Sequence, residues 1–178
     1  VLNGWKGILT LSGNSLWHYF KNSIIISGGS TLLVVLATSL GGYALYRKGS
    51  LPGFSMIQTS FSVSMMYPAV LLLIPLYVIV VQLGLYGTNN FWGIILASST
   101  GAWGAALPFF LFKNFFQSLP YDLIESATID GATEFQIFFK IVTPVMYPVF
   151  TTATLISFFV QLGSVASGTD AVKRYEHL

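Results

Sequence analysis

Cysteine is absent from the 178 residues, and charge is scarce: Asp, Glu, Lys and Arg together make up 8% of the chain. Without a thiol there is no disulfide framework, no thiolate zinc site, no iron–sulfur cluster and no cysteine nucleophile. Without more charge a globule of this size cannot solvate its outside, since a soluble domain carries roughly 25% charged residues. Eight Lys and Arg against six Asp and Glu form no basic patch, which excludes a nucleic-acid partner. The two histidines, His18 and His177, lie far apart. No Ser/His/Asp set, phosphate-cradling Gly-rich loop or metal-ligand cluster is visible, so no catalytic residue and no metal site is expected. What the chain has in excess is apolar residues at 54% and aromatics at 16%, with a mean hydropathy of +0.73. These values point to a lipid bilayer.

The ionisable residues draw the topology. None lies between Lys21 and Arg47, between Lys48 and Lys113, or from Ile141 to Thr169. A crossing needs about 20 apolar residues, so the chain is expected to be an all-α polytopic membrane protein. Its spans are placed at 23–46, 54–83, 91–112 and 144–162. Residues 1–22 are expected outside the cytoplasm, with a loop over 113–143 on the opposite face and a polar tail over 163–178. The run from Leu83 to Asn90 holds two Gly, one Thr and two Asn, which makes a turn between antiparallel spans. Arg47, Lys48, Lys113 and Lys140 fall on one side, and Lys6 and Lys21 on the other. That bias leans toward a cytoplasmic loop over 113–143. With Lys173 and Arg174 added to the second side, the counts become equal.

No ionisable side chain falls inside any expected span, which argues against a proton relay. A sodium site built from backbone carbonyls escapes that argument. Gly93, Ala97, Gly101 and Ala105 recur every fourth residue and would form a small-residue ridge. The ridge suits packing within the chain or contact with another membrane subunit. Pro68 and Pro75 share a face of the second span and mark either plain kinks or a substrate path beside Met65, Met66, Tyr67 and Gln82. Of these, Met66, Tyr67 and Pro68 are the substrate-path candidates. Trp5, Trp17, Tyr19, Tyr43, Tyr46 and Trp92 sit near span ends, as an interfacial aromatic belt would.

The acidic loop is the most informative segment. Four of the six acids, Asp122, Glu125, Asp130 and Glu134, fall within it. Asp122 with Glu125 reads as a helix N-cap pattern, Gly131 as a helix stop, and Thr133 with Gln136 as a capping box. Phe135, Phe138, Phe139 and Val142 follow the i, i+3, i+4, i+7 rule and predict an apolar stripe. Pro144 is expected to end or kink the helix as the chain re-enters the membrane. Such a helix–turn–helix could lie passively in the interface, but its acidity favours a protein partner.

Glu125-Ser126-Ala127, Asp130-Gly131-Ala132, Ile137-Phe138, Lys140-Ile141 and Pro144 resemble the EAA loop of ATP-binding-cassette importer permeases. Ser126 replaces the first Ala of that pattern, and Thr143 the Leu. Asn22-Ser23, Gly42-Tyr43-Ala44-Leu45, Pro75-Leu76-Tyr77, Leu83-Gly84-Leu85 and Ile129 to Thr133 resemble the carbohydrate branch, the maltose- and glycerol-phosphate-type permeases. The resemblance covers roughly Phe20 to Phe158.

It implies a type I importer permease bundle, with about four of the usual six spans present, in a bacterial-type cytoplasmic (inner) membrane. The function it implies is passage of a sugar or oligosaccharide, with no cofactor bound by this chain and ATP and Mg on partner subunits. The implied partners are two ATPase subunits, a second permease subunit and an extracytoplasmic solute-binding protein. Glu125, Ser126, Ala127, Asp130, Gly131, Ala132 and Phe135 become the expected ATPase-coupling residues. The chain begins at Val1 and ends in a polar tail where the family continues, so a product truncated at both ends is expected. A fragment of an ion-coupled secondary carrier and a nonfunctional permease relic are the alternatives.

Overall fold

The computed structural model describes residues 16–48, 53–64, 71, 73–85, 91–99 and 105–175, and everything regular among them is helical. Helix α1 (Leu16–Lys48) is followed by α2 (Phe54–Ser64), α3 (Leu73–Gln82), α4 (Phe91–Ser99) and α5 (Ala106–Gln117). The loop contributes α6 (Tyr121–Ile129), α7 (Glu134–Ile137), a π-helical turn (Phe138–Val142) and α8 (Thr143–Val145). Helix α9 (Tyr147–Tyr175) follows.

Helix α1 is the spine. Its 33 residues extend about 50 Å at 1.5 Å per residue. Its inner face carries Ser27, Ser30, Thr31, Val34, Val35, Thr38, Ser39 and Tyr43, all buried, while Ile24, Ile25, Leu32, Leu36 and Leu40 face outward. Large aliphatics outside and small hydroxyl residues inside reverse the order of a soluble helix. Lipid rewards no burial of Leu against protein, so close approach and hydrogen bonds must hold the helices together. Thr38 donates to the Val34 carbonyl (2.6 Å) and Ser39 to that of Leu36 (3.2 Å), hiding their hydroxyls within the helix. Ser30 reaches across to the carbonyl of Ile95 on α4 (3.4 Å). The Ser98 carbonyl of α4 accepts from Gln161 Nε2 of α9 at 2.9 Å. These bonds tie α4 between α1 and α9. The most extensive packing is that of α1 on α9 and on α5.

Within the expected spans, α2 and α3 lie along 54–83 and α4 and α5 along 91–112, and residues 65–70, 72 and 100–104 lie outside the described ones. The fourth runs on to Tyr175 with no helix end near Leu162. Helix continuation needs only backbone bonding, so the fall in hydropathy after Leu162 does not stop it. Among the described residues one helix, Phe20–Lys48, is long and apolar enough to cross a membrane, or two if the bent pair Glu134–Val145 and Tyr147–Gly163 is one span. The expected ridge is described only in part. Gly93 and Ala97 lie on α4, Ala105 caps α5, and Gly101 lies outside the described residues, as do Met65, Met66, Tyr67 and Pro68.

The expected turn after residue 83 has its first half in view. Helix α3 ends with Gly84 at φ 66°, while Gly84 N–H donates to Val81 and Leu85 N–H to Val80. That chain reversal brings the Leu85 carbonyl against Gly93, so closely that a Cβ there would collide with it. A side chain on Gly28 of α1 would meet no atom within 4 Å. Gly93→Ala should therefore cost ~1–3 kcal/mol by overpacking against rigid backbone, while Gly28→Ala should be close to neutral. Thermal unfolding of the two variants in detergent checks this, and equal midpoints would contradict the packing at Gly93.

Candidate functional site

The segment from Ser118 to Met146 is specified by local rules at nearly every step. Helix α5 stops where Ser118 Oγ donates to the Phe115 carbonyl (2.7 Å) ahead of Leu119-Pro120. Pro120, not Asp122, is the N-cap of α6, with φ −61° and ψ 121°. With the cap at Pro120, Asp122 lies inside the first turn and serves the helix dipole instead. Helix α6 ends as expected at Gly131, whose φ of 78° a β-carbon would resist. Gly131 N–H donates to Thr128 and Ala132 N–H to Ala127 (3.1 and 3.0 Å), the paired bonds of a Schellman cap. Two residues later the expected capping box is present. Thr133 N–H donates to Gln136 Oε1 (2.9 Å), and Gln136 N–H to Thr133 Oγ1 (3.4 Å). A stop and a start this close leave no slack in the turn.

The helix after the turn differs from its expected stripe. Ile137, Phe138 and Val142 are buried, followed by Met146, whereas Phe139 faces outward and Phe135 is 70% exposed. The sequence template counted four aromatic and aliphatic positions, but burial selects the row 138, 142 and 146 with Ile137 beside it. Pro144 does not end this helix. Its missing N–H and its ring are accommodated by the π turn, in which the Thr143 N–H and Oγ1 both donate to the Phe138 carbonyl, the latter at 2.9 Å. The bend falls at Met146, just before Pro148, where the two helical segments meet at 83°.

The inner side of the loop joins the core of the bundle. Ile124, Ala127, Ile137, Phe138 and Val142 pack with Phe112 and Phe116 of α5, Val35 and Tyr43 of α1, and Met146, Val149 and Ala153. Rings meet at 5.2 Å between Tyr43 and Phe138 and at 4.7 Å between Phe112 and Phe150. Tyr43 therefore belongs to this core and not to an interfacial belt. Tyr46 stacks on Phe116 at 6.2 Å.

One polar contact crosses from α1 to the loop. Arg47 Nε and Nη2 donate to Glu134 Oε1 (3.2 and 2.7 Å), Nε also lies 3.1 Å from Oε2, and the Tyr43 hydroxyl donates to Oε2 at 2.9 Å. Tyr43 and Arg47 are four apart, hence on one face of α1, and converge on a single carboxylate. The Arg47 guanidinium holds the Glu134 carboxyl below its ordinary 4.5, the Tyr43 hydroxyl adding to this and partial desolvation opposing it. Sequence reading counted Glu134 among the loop acids but gave it no role. The pairing joins residues 87 apart, and only its charge complementarity with Arg47 was visible.

The expected coupling residues divide by face. Glu125, Ser126, Asp130, Gly131 and Phe135 are exposed, as is Ile129 at 80%. Ala127 is buried toward the chain's own core, and Ala132 packs against it. The outward surface thus combines acidic side chains with unpaired apolar ones on a rigid turn. Such a face suits contact with a partner protein.

An all-helical, largely apolar bundle carrying a tightly capped acidic loop is the class that this geometry defines. The chain belongs to the family described as "Binding-protein-dependent transport system inner membrane component", which matches residues 34–168. It is a membrane-integral transport family and not an enzyme family. The chain is 38% identical over 138 residues to a probable ABC transporter permease protein of Pyrococcus horikoshii, covering 78% of this chain and 48% of that protein. It is 35% identical over 144 residues to the melibiose/raffinose/stachyose import permease protein MelC of Bacillus subtilis, covering 80% and 50%. It is 32% identical over 148 residues to the maltose/maltodextrin transport system permease protein MalG of Vibrio parahaemolyticus, covering 81% and 49%. The crystal structure of a bacterial ABC transporter involved in the import of the acidic polysaccharide alginate superposes with a TM-score of 0.70 at 26% identity, over 82% of this chain and 49% of that one. The chain spans about half the length of the curated relatives it matches.

The Glu134 contact carries a pH signature. A carboxyl whose folded pKa is depressed contributes stability that is full above its ordinary 4.5 and lost as pH falls through the lower folded value. Protection of the loop from protease should hold constant down to about the ordinary carboxylate range and decay below it. In Glu134→Gln the decay attributable to this group should vanish. An identical acid profile in that variant would show that the contact does not hold the loop.

Proposed function

We propose that this chain is part of the membrane-spanning permease subunit of an ATP-driven importer for a sugar or oligosaccharide. The observation that carries the proposal is the projecting turn from Glu125 to Phe135, rigidly capped on both sides and anchored inward on the helix core. The complex has two ATP-binding-cassette ATPase subunits, which hold the ATP and Mg, and this turn docks on one of them. A second permease subunit completes the path, and an extracytoplasmic binding protein delivers the solute. The loop and the Arg47 end of α1, joined by the Glu134 contact, lie together on the cytoplasmic side of a bacterial-type inner membrane. The permease names and substrates of MelC and MalG support the carbohydrate class.

Recognition at the turn follows from its chemistry. Glu125 accepts from a cation or backbone donors of the ATPase, and charge-assisted bonds of that kind are the stronger ones. Ser126 and Gly131 add no bulk, and Ile129 and Phe135 supply apolar area. The test uses the full-length permease in its complete complex. Glu125→Lys reverses a charge at the contact, and Gly131→Val strains the turn at φ 78°. Where the charge is paired and desolvated, its loss costs roughly 2–5 kcal/mol of binding. Both variants should reach the membrane at normal level yet lose co-purifying ATPase and solute-stimulated ATP hydrolysis. Full retention of both activities would mean that the turn is not the docking element.

A further inference from the structure

The segment from Glu134 to Val145 is one rod with two attachments. Its twelve residues extend about 18 Å at 1.5 Å per residue. At its C-terminal end it turns through 83° at Met146 into α9. At its N-terminal end Glu134 receives donors from Arg47 and Tyr43 of α1. Between these ends the rod rests on the core through Ile137, Phe138 and Val142, apolar contacts that fix no direction, so the first attachment alone leaves its N-terminal end able to shift along α1. The second attachment braces it.

We propose that Glu134, Arg47 and Tyr43 form a latch that makes α1 move with the docking turn, so that a pull on Glu125–Gly131 reaches the spine of the bundle as well as α9. The proposal rests on the reading of that turn as the ATPase-docking element. Its position fits the task. Glu134 follows Gly131 by three residues, with the Thr133 cap between them, so little chain separates docking surface from latch. Two-pronged donation from a guanidinium fixes direction as well as distance, which a lysine could not do. The Arg47 side chain is only 15% exposed and Tyr43 is buried between Phe116 and Phe138, so two of the three partners are already immobile. Helix α1 in turn packs on α4, α5 and α9, so its displacement involves the whole described bundle. These three are positioning residues and need touch neither solute nor ATPase.

The experiment uses the complete complex of full-length permeases, ATPase subunits and binding protein in liposomes. Three quantities are read: ATPase retained on purification, the ratio of solute-stimulated to basal ATP hydrolysis, and the mobility of a nitroxide attached to the rod through Lys140→Cys, an exposed position outside the docking turn. Glu134→Ala and Arg47→Ala should each raise the mobility and lower the ratio about fivefold or more, the range of a coupling free energy between sites, with ATPase retained. Tyr43→Phe removes one donor and keeps the ring, so its loss should be smaller. The exchange of Arg47→Glu with Glu134→Arg rebuilds the pair in reverse and should recover most of the ratio and the immobility. If the alanine variants fail to accumulate, Glu134→Gln carries the same comparison with the shape preserved.

Unchanged mobility and ratio overturn the latch. So does loss of ATPase in step with the ratio, since the residues would then only shape the docking surface, and so does failure of the exchange to rescue. If the unsubstituted complex itself retains no ATPase, the docking reading fails instead, while the nitroxide still reports whether the latch holds the rod.

Discussion

Helix association without a hydrophobic reward is the constraint from which the rest of this structure follows. In lipid, Leu36 and Leu40 gain nothing by turning inward, so the inner face of α1 is left to Ser27, Ser30, Thr31, Thr38 and Ser39. Small side chains let α4 and α9 come close; the hydroxyls of Thr38 and Ser39 bond within the helix and that of Ser30 to a neighbour's carbonyl, while those of Ser27 and Thr31 have no partner among the described residues. Gly93 serves the same end against the Leu85 carbonyl. The bundle is therefore specified by approach distance and carbonyl pairing more than by buried area.

At the loop end the balance changes, and aromatic packing takes over. Phe112, Phe116 and Phe138 with Tyr43 make a core of the kind a soluble domain uses, and Ile124 and Ala127 of α6 close over it. This explains how the loop can be rigid. It has its own core, shared with the ends of α1 and α5, and its turn is capped on both sides. Rigidity is what a mechanical element needs, because a flexible turn would absorb displacement instead of passing it on. The π turn and the 83° bend then set the direction in which the rod leaves the turn.

Much of the loop was legible from neighbouring residues. Gly131 as a helix stop, and Thr133 with Gln136 as a capping box, depend on bonds within six residues, so local pattern suffices for them. The resemblance carried by Glu125, Asp130-Gly131-Ala132 and Pro144 was likewise local, and the family match over 34–168 agrees with it. Burial was legible only in part. Phe135 and Phe139 looked like members of an apolar stripe, yet the face presented to the core is set by the docking of the rod on Phe112 and Phe116. Pro144 looked like the breaker, but a π turn can absorb one proline, and the next, Pro148, follows the bend.

The sequence by itself determined the class of protein: an apolar, nearly uncharged helical chain with one acidic, tightly capped turn. Composition and local capping need no long-range information, since each residue's cost in lipid or in a turn is settled within its own helical turn. Only the tertiary structure decided which side of the turn is free for a partner, why Tyr43 is buried, and that Glu134 belongs to Arg47. Those outcomes depend on contacts between segments as much as 91 residues apart. Such contacts arise only when α1 and the loop helix pack on a common core, and no periodicity along the chain encodes that geometry.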